Sequence, residues 1–285
     1  MTARSLVGKA FLGKAGLTVL QVALAAIILL PFFWMVSVSL KPASEPFAIP
    51  ARLWPQNPTL DNYVTAFRPE FRTYFVNSLI VSLSTVAITV ALALPAAYSF
   101  TRAQTRLVFA IMGLIVAAQM FPASAIIIPI YKMMKGAGLL NTYASLIIAY
   151  VTITLPVAIW MLRGFLARLP VELDEAAAID GAGPLRTFVS IIVPLCRPGI
   201  VATAVFVLIV TWQEFLFALS FTSTRDMRTL PVGMNDFIGQ YGIRYGELMA
   251  SSVLISIPVV AVFFLLQRML RTKTNREFFV SMAEG

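Results

Sequence analysis

The chain has 285 residues, is 59% hydrophobic and only 12% charged, and has a mean hydropathy of +0.85. A soluble domain carries roughly 25% charged residues, so this chain is too apolar for one globular core and reads as an integral membrane protein. Its net charge of +9 comes from Lys and Arg spread over the polar segments with no basic block, which fits membrane topology and not nucleic acid.

The sequence has no histidine, which removes His-based metal sites, general bases and proton relays. Its single cysteine, Cys196, excludes an internal disulfide and reads as structural filler.

Arg4, Lys9 and Lys14, with no acid among them, lead into an apolar run over 17–40. That run is too long for a signal-peptide core of ~7–15 residues, and no small-x-small cleavage site follows. It predicts a first transmembrane helix, entered from the cytoplasm and kinked near Pro31. Residues 41–73 hold Pro42, Pro46, Pro50, Pro55, Pro58 and Pro69, a density that forbids a long helix and predicts an extracytoplasmic loop with Trp54 at the interface. Within it, Leu60, Tyr63, Val64 and Phe67 recur at helical spacing and predict a short amphipathic helix.

Further spans are expected over 74–100, 107–130, 142–162, 199–221 and 247–267. The second opens on Asn77-Ser78, the third holds Met120-Phe121-Pro122 and Pro129, and prolines also fall in the fourth (Pro156) and sixth (Pro258). The expected fold is an all-α integral membrane protein of six transmembrane helices. It divides into an N-terminal part over 1–73, a core over 74–270 and a tail over 271–285. Of the 22 Lys and Arg, 13 fall on the side of the two termini and 9 on the other, a bias that places both termini in the cytoplasm.

The longest polar interruption in the second half is 163–198, which includes ELDEAAAIDGAGPLRTFVSIIVPLCRP. Pro170 suits a helix start. Glu172, Asp174 and Glu175 suit a first turn, where the helix dipole favours anions. Ala176, Ala177 and Ala178 favour helix, and Gly181 is placed to end it in the left-handed conformation. Pro184 can begin a second short helix, with Leu185, Phe188, Val189 and Ile192 on one face. On these residues alone the segment is equally an ordinary amphipathic cytoplasmic loop.

Glu214 is the one acid well inside an apolar span. Such an acid is costly and faces the bundle interior or water. Beside it, Trp212 and Gln213 offer an aromatic face and an amide of the kind that handle sugars. Glu214 therefore reads either as lining a path, with Met120 and Phe121 as a flex point, or as a structural partner of a neighbouring helix. No paired acids, His cluster or nucleophile with a base occurs in the spans, so neither a catalytic nor a metal residue is assigned.

Glu175-Ala176-Ala177, then Gly181, Ile191 and Pro194, follow the spacing of the "EAA" loop of ABC-importer membrane subunits. NSLIVS, AAYSFTR, MFPASAIIIPIY, LARLPVELDEAAAIDGAG and TWQEFLFAL occur in the same order as in the carbohydrate-type, maltose-transporter MalG-like permeases, and the chain resembles that family from about Asn77 to the sixth span. The resemblance implies a coupling loop over about 164–198 that docks on a separate ATPase through Glu172, Glu175, Ala176, Ala177, Asp180, Gly181, Ile191 and Pro194. It implies a MalF-like second permease, a MalK-like ATPase dimer that holds ATP and Mg, and an extracytoplasmic solute-binding protein, in a bacterial inner membrane. No cofactor is implied for this chain, which has no GxxxxGK[ST] phosphate loop and is expected not to be an enzyme.

Val193 replaces the family's usual Leu before Pro194, Gln213 the frequent Asn after Trp212, and the tail TKTNREFFVSMAEG its Gly-rich ending. The alternative is an ion-coupled secondary transporter or channel subunit, which would need more intramembrane ionisable groups than Glu214.

Overall fold

A computed structural model describes residues 3–45, 52–103, 105–239 and 242–270. Apart from short 3-10 and π turns and a two-residue antiparallel ladder (Ile238↔Ile243, Gly239↔Gly242), the regular structure of these residues is α-helical. The expected tail over 271–285 lies outside the described residues.

The longest apolar helices are α1 (Ala3–Ser39), α3 (Pro69–Arg102), α6 (Tyr143–Leu166) and α13 (Tyr245–Leu270), with α2 (Asp61–Ala66) between the first two. Among the described residues these four are long and apolar enough to cross a bilayer as continuous helices. Pro31, Pro95, Pro156 and Pro258 sit inside them without ending them. The other two expected spans are each divided. The segment expected over 107–130 forms α4 (Arg106–Ala118) and α5 (Ala123–Gly136), separated where extended Pro122 interrupts the helix. The segment expected over 199–221 forms α10 (Arg197–Trp212) and α11 (Leu216–Phe221), parted at Gln213–Phe215.

One compact unit contains the chain up to Arg68 together with Asp236–Ser256. Here the C-terminal end of α1 is fastened by polar groups. Lys41, fully buried, donates from Nζ to the Arg52 carbonyl (2.6 Å) and lies over the Trp34 ring (4.5 Å). Asn62 of α2 donates to the carbonyls of Ser39 and Lys41, and the hydroxyls of Tyr63 and Ser39 bond at 2.7 Å. These bonds set the roll of α2, so the predicted apolar stripe does not face a protein core. Leu60, Val64 and Phe67 are exposed and Ala66 is buried instead. The 17–33 stretch of α1 is exposed on all sides, which suits lipid.

The other unit contains Pro69–Asn235. Its axis is α3, which packs on both α6 and α10. The buried face of α3 carries Ser78, Ser82, Thr85, Thr89, Ala93 and Ala97. Small side chains let helix backbones approach closely where lipid offers no hydrophobic drive for association. On that face Thr85 Oγ1 donates to the Val81 carbonyl (2.8 Å) and the hydroxyls of Thr89 and Thr154 bond across the helix pair (3.1 Å), whereas the buried Ser82 hydroxyl has no partner among the described residues.

At the Asn77 end of α3 the segment that follows α11, including α12 (Leu230–Gly233), is clasped to the bundle. Asn77 Nδ2 donates to the carbonyls of Asp226 (2.7 Å) and Arg228 (2.8 Å), and its Oδ1 accepts from the Tyr143 hydroxyl (2.7 Å). The Leu230 N–H donates to Ser78 Oγ (2.8 Å). Asn141, at φ 61°, accepts from the N–H groups of Ser223 and Thr224. A Cβ on Gly233 would lie 2.1 Å from Tyr74 Cδ2, so only glycine allows α12 this close to α3.

Gly233→Ala is therefore expected to destabilise the protein by about 1–3 kcal/mol through overpacking. Asn77→Ala should cost about 1–3 kcal/mol by removing the amide that joins Asp226, Arg228 and Tyr143. Thermal midpoints in detergent check both, with Ser220→Ala, on an exposed site, as the neutral control.

Candidate functional site

The polar loop forms three short helices. α7 (Glu172–Ile179) begins with Glu172, Asp174 and Glu175 at its positive end. It ends in a Schellman motif: Ala182 N–H donates to the Ala177 carbonyl (2.9 Å), Gly181 N–H to that of Ala178 (3.0 Å), and Gly181 has φ +76°. A Cβ at that φ is strained, which is why glycine stands there. Glu172, Glu175, Ala176, Asp180 and Gly181 are exposed, whereas Ala177 is buried.

Asp174 turns to the opposite side of α7 from that exposed set. Its Oδ2 lies 2.8 Å from Arg102 Nε, and its Oδ1 accepts from the Tyr98 hydroxyl at 2.5 Å. Arg102 also donates to the carbonyls of Leu169 (3.1 Å) and Pro170 (3.4 Å), just before α7. Tyr98 and Arg102 belong to the last turns of α3. The cation sits at the negative end of one helix and the anion at the positive end of the other, so both macrodipoles favour the pair. The sequence places Asp174 in a first helical turn, but nothing in the spacing of AAYSFTR and LARLPVELDEAAAIDGAG shows that Arg102 and Asp174, 72 positions apart, meet.

α8 (Pro184–Thr187) continues through a π turn (Phe188–Ile192) into α9 (Val193–Leu195). The wider turn redistributes the stripe expected on one face. Ile192 is fully buried and Phe188 packs on Tyr98 with ring centroids 5.1 Å apart, but Leu185 and Val189 are exposed. Ile191 and Pro194 are half-buried. At Cys196 the chain turns by 74° into α10. Cys196 is buried, and burial pushes its thiol up to about 11.

The residues expected along a path are placed differently from one another. Trp212 is 2% exposed and meets Phe75 edge-on at 5.8 Å, so it packs between α10 and α3. Glu214 lies in the break between α10 and α11, outside any continuous helix. Its two oxygens accept the N–H groups of Phe217 (2.9 Å) and Ala218 (3.1 Å), so the carboxylate caps α11. Gln213, Met120 and Phe121 are exposed in this chain.

The fold and this loop define an all-α integral membrane protein with an exposed helical loop tied to its longest internal helix. A family model described as the binding-protein-dependent transport system inner membrane component matches residues 89–276, and the chain belongs to that family. It is 37% identical over 249 residues to the trehalose/maltose transport system permease protein MalG of Thermococcus litoralis, covering 86% of this chain and 89% of that protein. It is 35% identical over 253 residues to the trehalose transport system permease protein SugB of Mycobacterium tuberculosis, covering 88% and 92%. The crystal structure of a bacterial ABC transporter involved in alginate import shares the fold, with TM-score 0.79 and 19% identity over 94% of this chain and 98% of that one.

The raised thiol pKa makes Cys196 a neutral, shielded group at physiological pH. Maleimide labelling of native membranes at pH 7.5 is expected to be slow, and to become rapid after denaturation in detergent. Glu214→Ala, which removes both capping acceptors, is expected to lower stability by about 1–3 kcal/mol, read as a drop in the thermal midpoint of the purified protein.

Proposed function

We propose that this chain is one permease subunit of an ATP-driven importer for a sugar, oligosaccharide or polyol, coupled to its ATPase through α7. The observation that carries this reading is the display of Glu172, Glu175, Ala176 and Gly181 on an exposed helix closed by a left-handed glycine. Small side chains allow a partner's backbone to approach, and an exposed carboxylate can pair with a partner cation and fix register. The names of the sugar-transporting relatives support the substrate class.

In this reading the subunit works with a second, MalF-like permease, a MalK-like ATPase dimer holding ATP and Mg, and an extracytoplasmic binding protein that delivers solute. Residues 74–270 form the permease core, both termini face the cytoplasm, and the membrane is a bacterial inner membrane. ATP-driven closure of the ATPase dimer displaces α7, and the bundle exchanges inward- and outward-facing states because its contacts differ between them. Gln213, Met120 and Phe121 are the exposed candidates for the path, and the capping bonds of Glu214 favour its structural role.

Glu175→Ala is expected to weaken ATPase association by roughly 30-fold, the equivalent of about 2 kcal/mol for loss of one partner of a charge pair. Co-purification and titration of the ATPase against the membrane complex measure it. Uptake that persists in cells lacking any ATPase partner would overturn the reading in favour of ion-coupled transport.

A further inference from the structure

α7 is joined to the bundle covalently by a short non-helical connection on each side. Downstream, the chain passes through Gly181 and Gly183, both exposed, before α8. Upstream, residues 167–171 form an irregular connection from α6. A helix held only by such links would swing when pushed. Besides the apolar packing of Leu173 and Ala177, the polar contacts that fix it run to α3: the Arg102–Asp174 ion pair, the Tyr98 hydroxyl on Asp174, and the Arg102 guanidinium on the carbonyls of Leu169 and Pro170.

We propose that Arg102 and Asp174, braced by Tyr98, form a strut that delivers displacement of α7 to α3. This rests on the reading of α7 as the ATPase-coupling helix. The side chains of the pair are only 17% and 21% exposed, so water screens it less than a surface ion pair. Arg102 grips the upstream connection as well as α7 itself, so the strut holds both to α3. On the other side, α8 and α9 lead through the Cys196 elbow into α10, which packs on α3. The strut therefore closes a ring of α3, α7, the elbow and α10. With the ring closed, motion of α7 moves the packed helices together. With the strut removed, α7 pivots on its glycines and the motion is lost. Arg102, Asp174 and Tyr98 are positioning residues that touch neither nucleotide nor solute in this scheme.

The test uses the whole complex, with both permeases, the ATPase dimer and the binding protein, reconstituted in proteoliposomes. Solute uptake and ATP hydrolysis are measured together. For Arg102→Gln and for Asp174→Asn the expected result is normal assembly, hydrolysis within about twofold of the unsubstituted complex, and uptake reduced roughly tenfold or more, the scale of a coupling free energy between sites. The double variant should be no worse than either single one, because the two act as a pair. Asp174→Glu should recover part of the uptake.

Uptake and hydrolysis falling in parallel, or both unchanged, would overturn the strut. If the charge variants fail to assemble, Tyr98→Phe, which keeps the ion pair, carries the test: it should lower the ratio of uptake to hydrolysis, and an unchanged ratio overturns the proposal. Failure of the underlying reading is distinct, since the unsubstituted complex would then show no ATP-dependent uptake.

Discussion

Close packing of α3 against α6 and α10 is the constraint on which the larger unit depends. In a bilayer, lipid is as apolar as leucine, so helices gain nothing by merely hiding apolar surface from it. What holds them is short-range contact between small side chains and hydroxyl bonds satisfied locally, and the Ser, Thr and Ala face of α3 supplies both. The two ends of the same helix carry the polar fastenings. Asn77 and Ser78 hold the segment around α12 at one end, and Tyr98 and Arg102 hold α7 at the other. One helix thus connects two polar loops of the chain.

The breaks in the apolar segments have equally local causes. Pro122 has no N–H to give and disfavours helix in the residue before it. Glu214 takes the N–H groups of Phe217 and Ala218, so a new helix starts where a single span would otherwise continue. The two backbone donors it accepts give this acid a capping position at the break between the two helices. Trp212, its neighbour in sequence, is spent on packing.

The loop combines an exposed side with a side fastened to the bundle. α7 turns Glu175 and Ala176 outward and Asp174 inward, so adjacent residues on one short helix serve opposite purposes.

The sequence by itself determined the membrane class, the helical fold, the position of the polar loop and the end of α7 at Gly181. These depend on composition, on apolar run length and on local backbone preference, all of which act within a few residues. It did not determine which faces of short helices turn inward. Leu60, Val64 and Phe67 are exposed because Asn62 and Tyr63 set the roll of α2, and Leu185 and Val189 are exposed because a π turn intervenes. Nor could it reveal that Asp174 meets Arg102 and Tyr98, or that Tyr74 requires Gly233. Those are long-range coincidences, decided only when α3 packs in the bundle and brings distant segments within a hydrogen bond of each other.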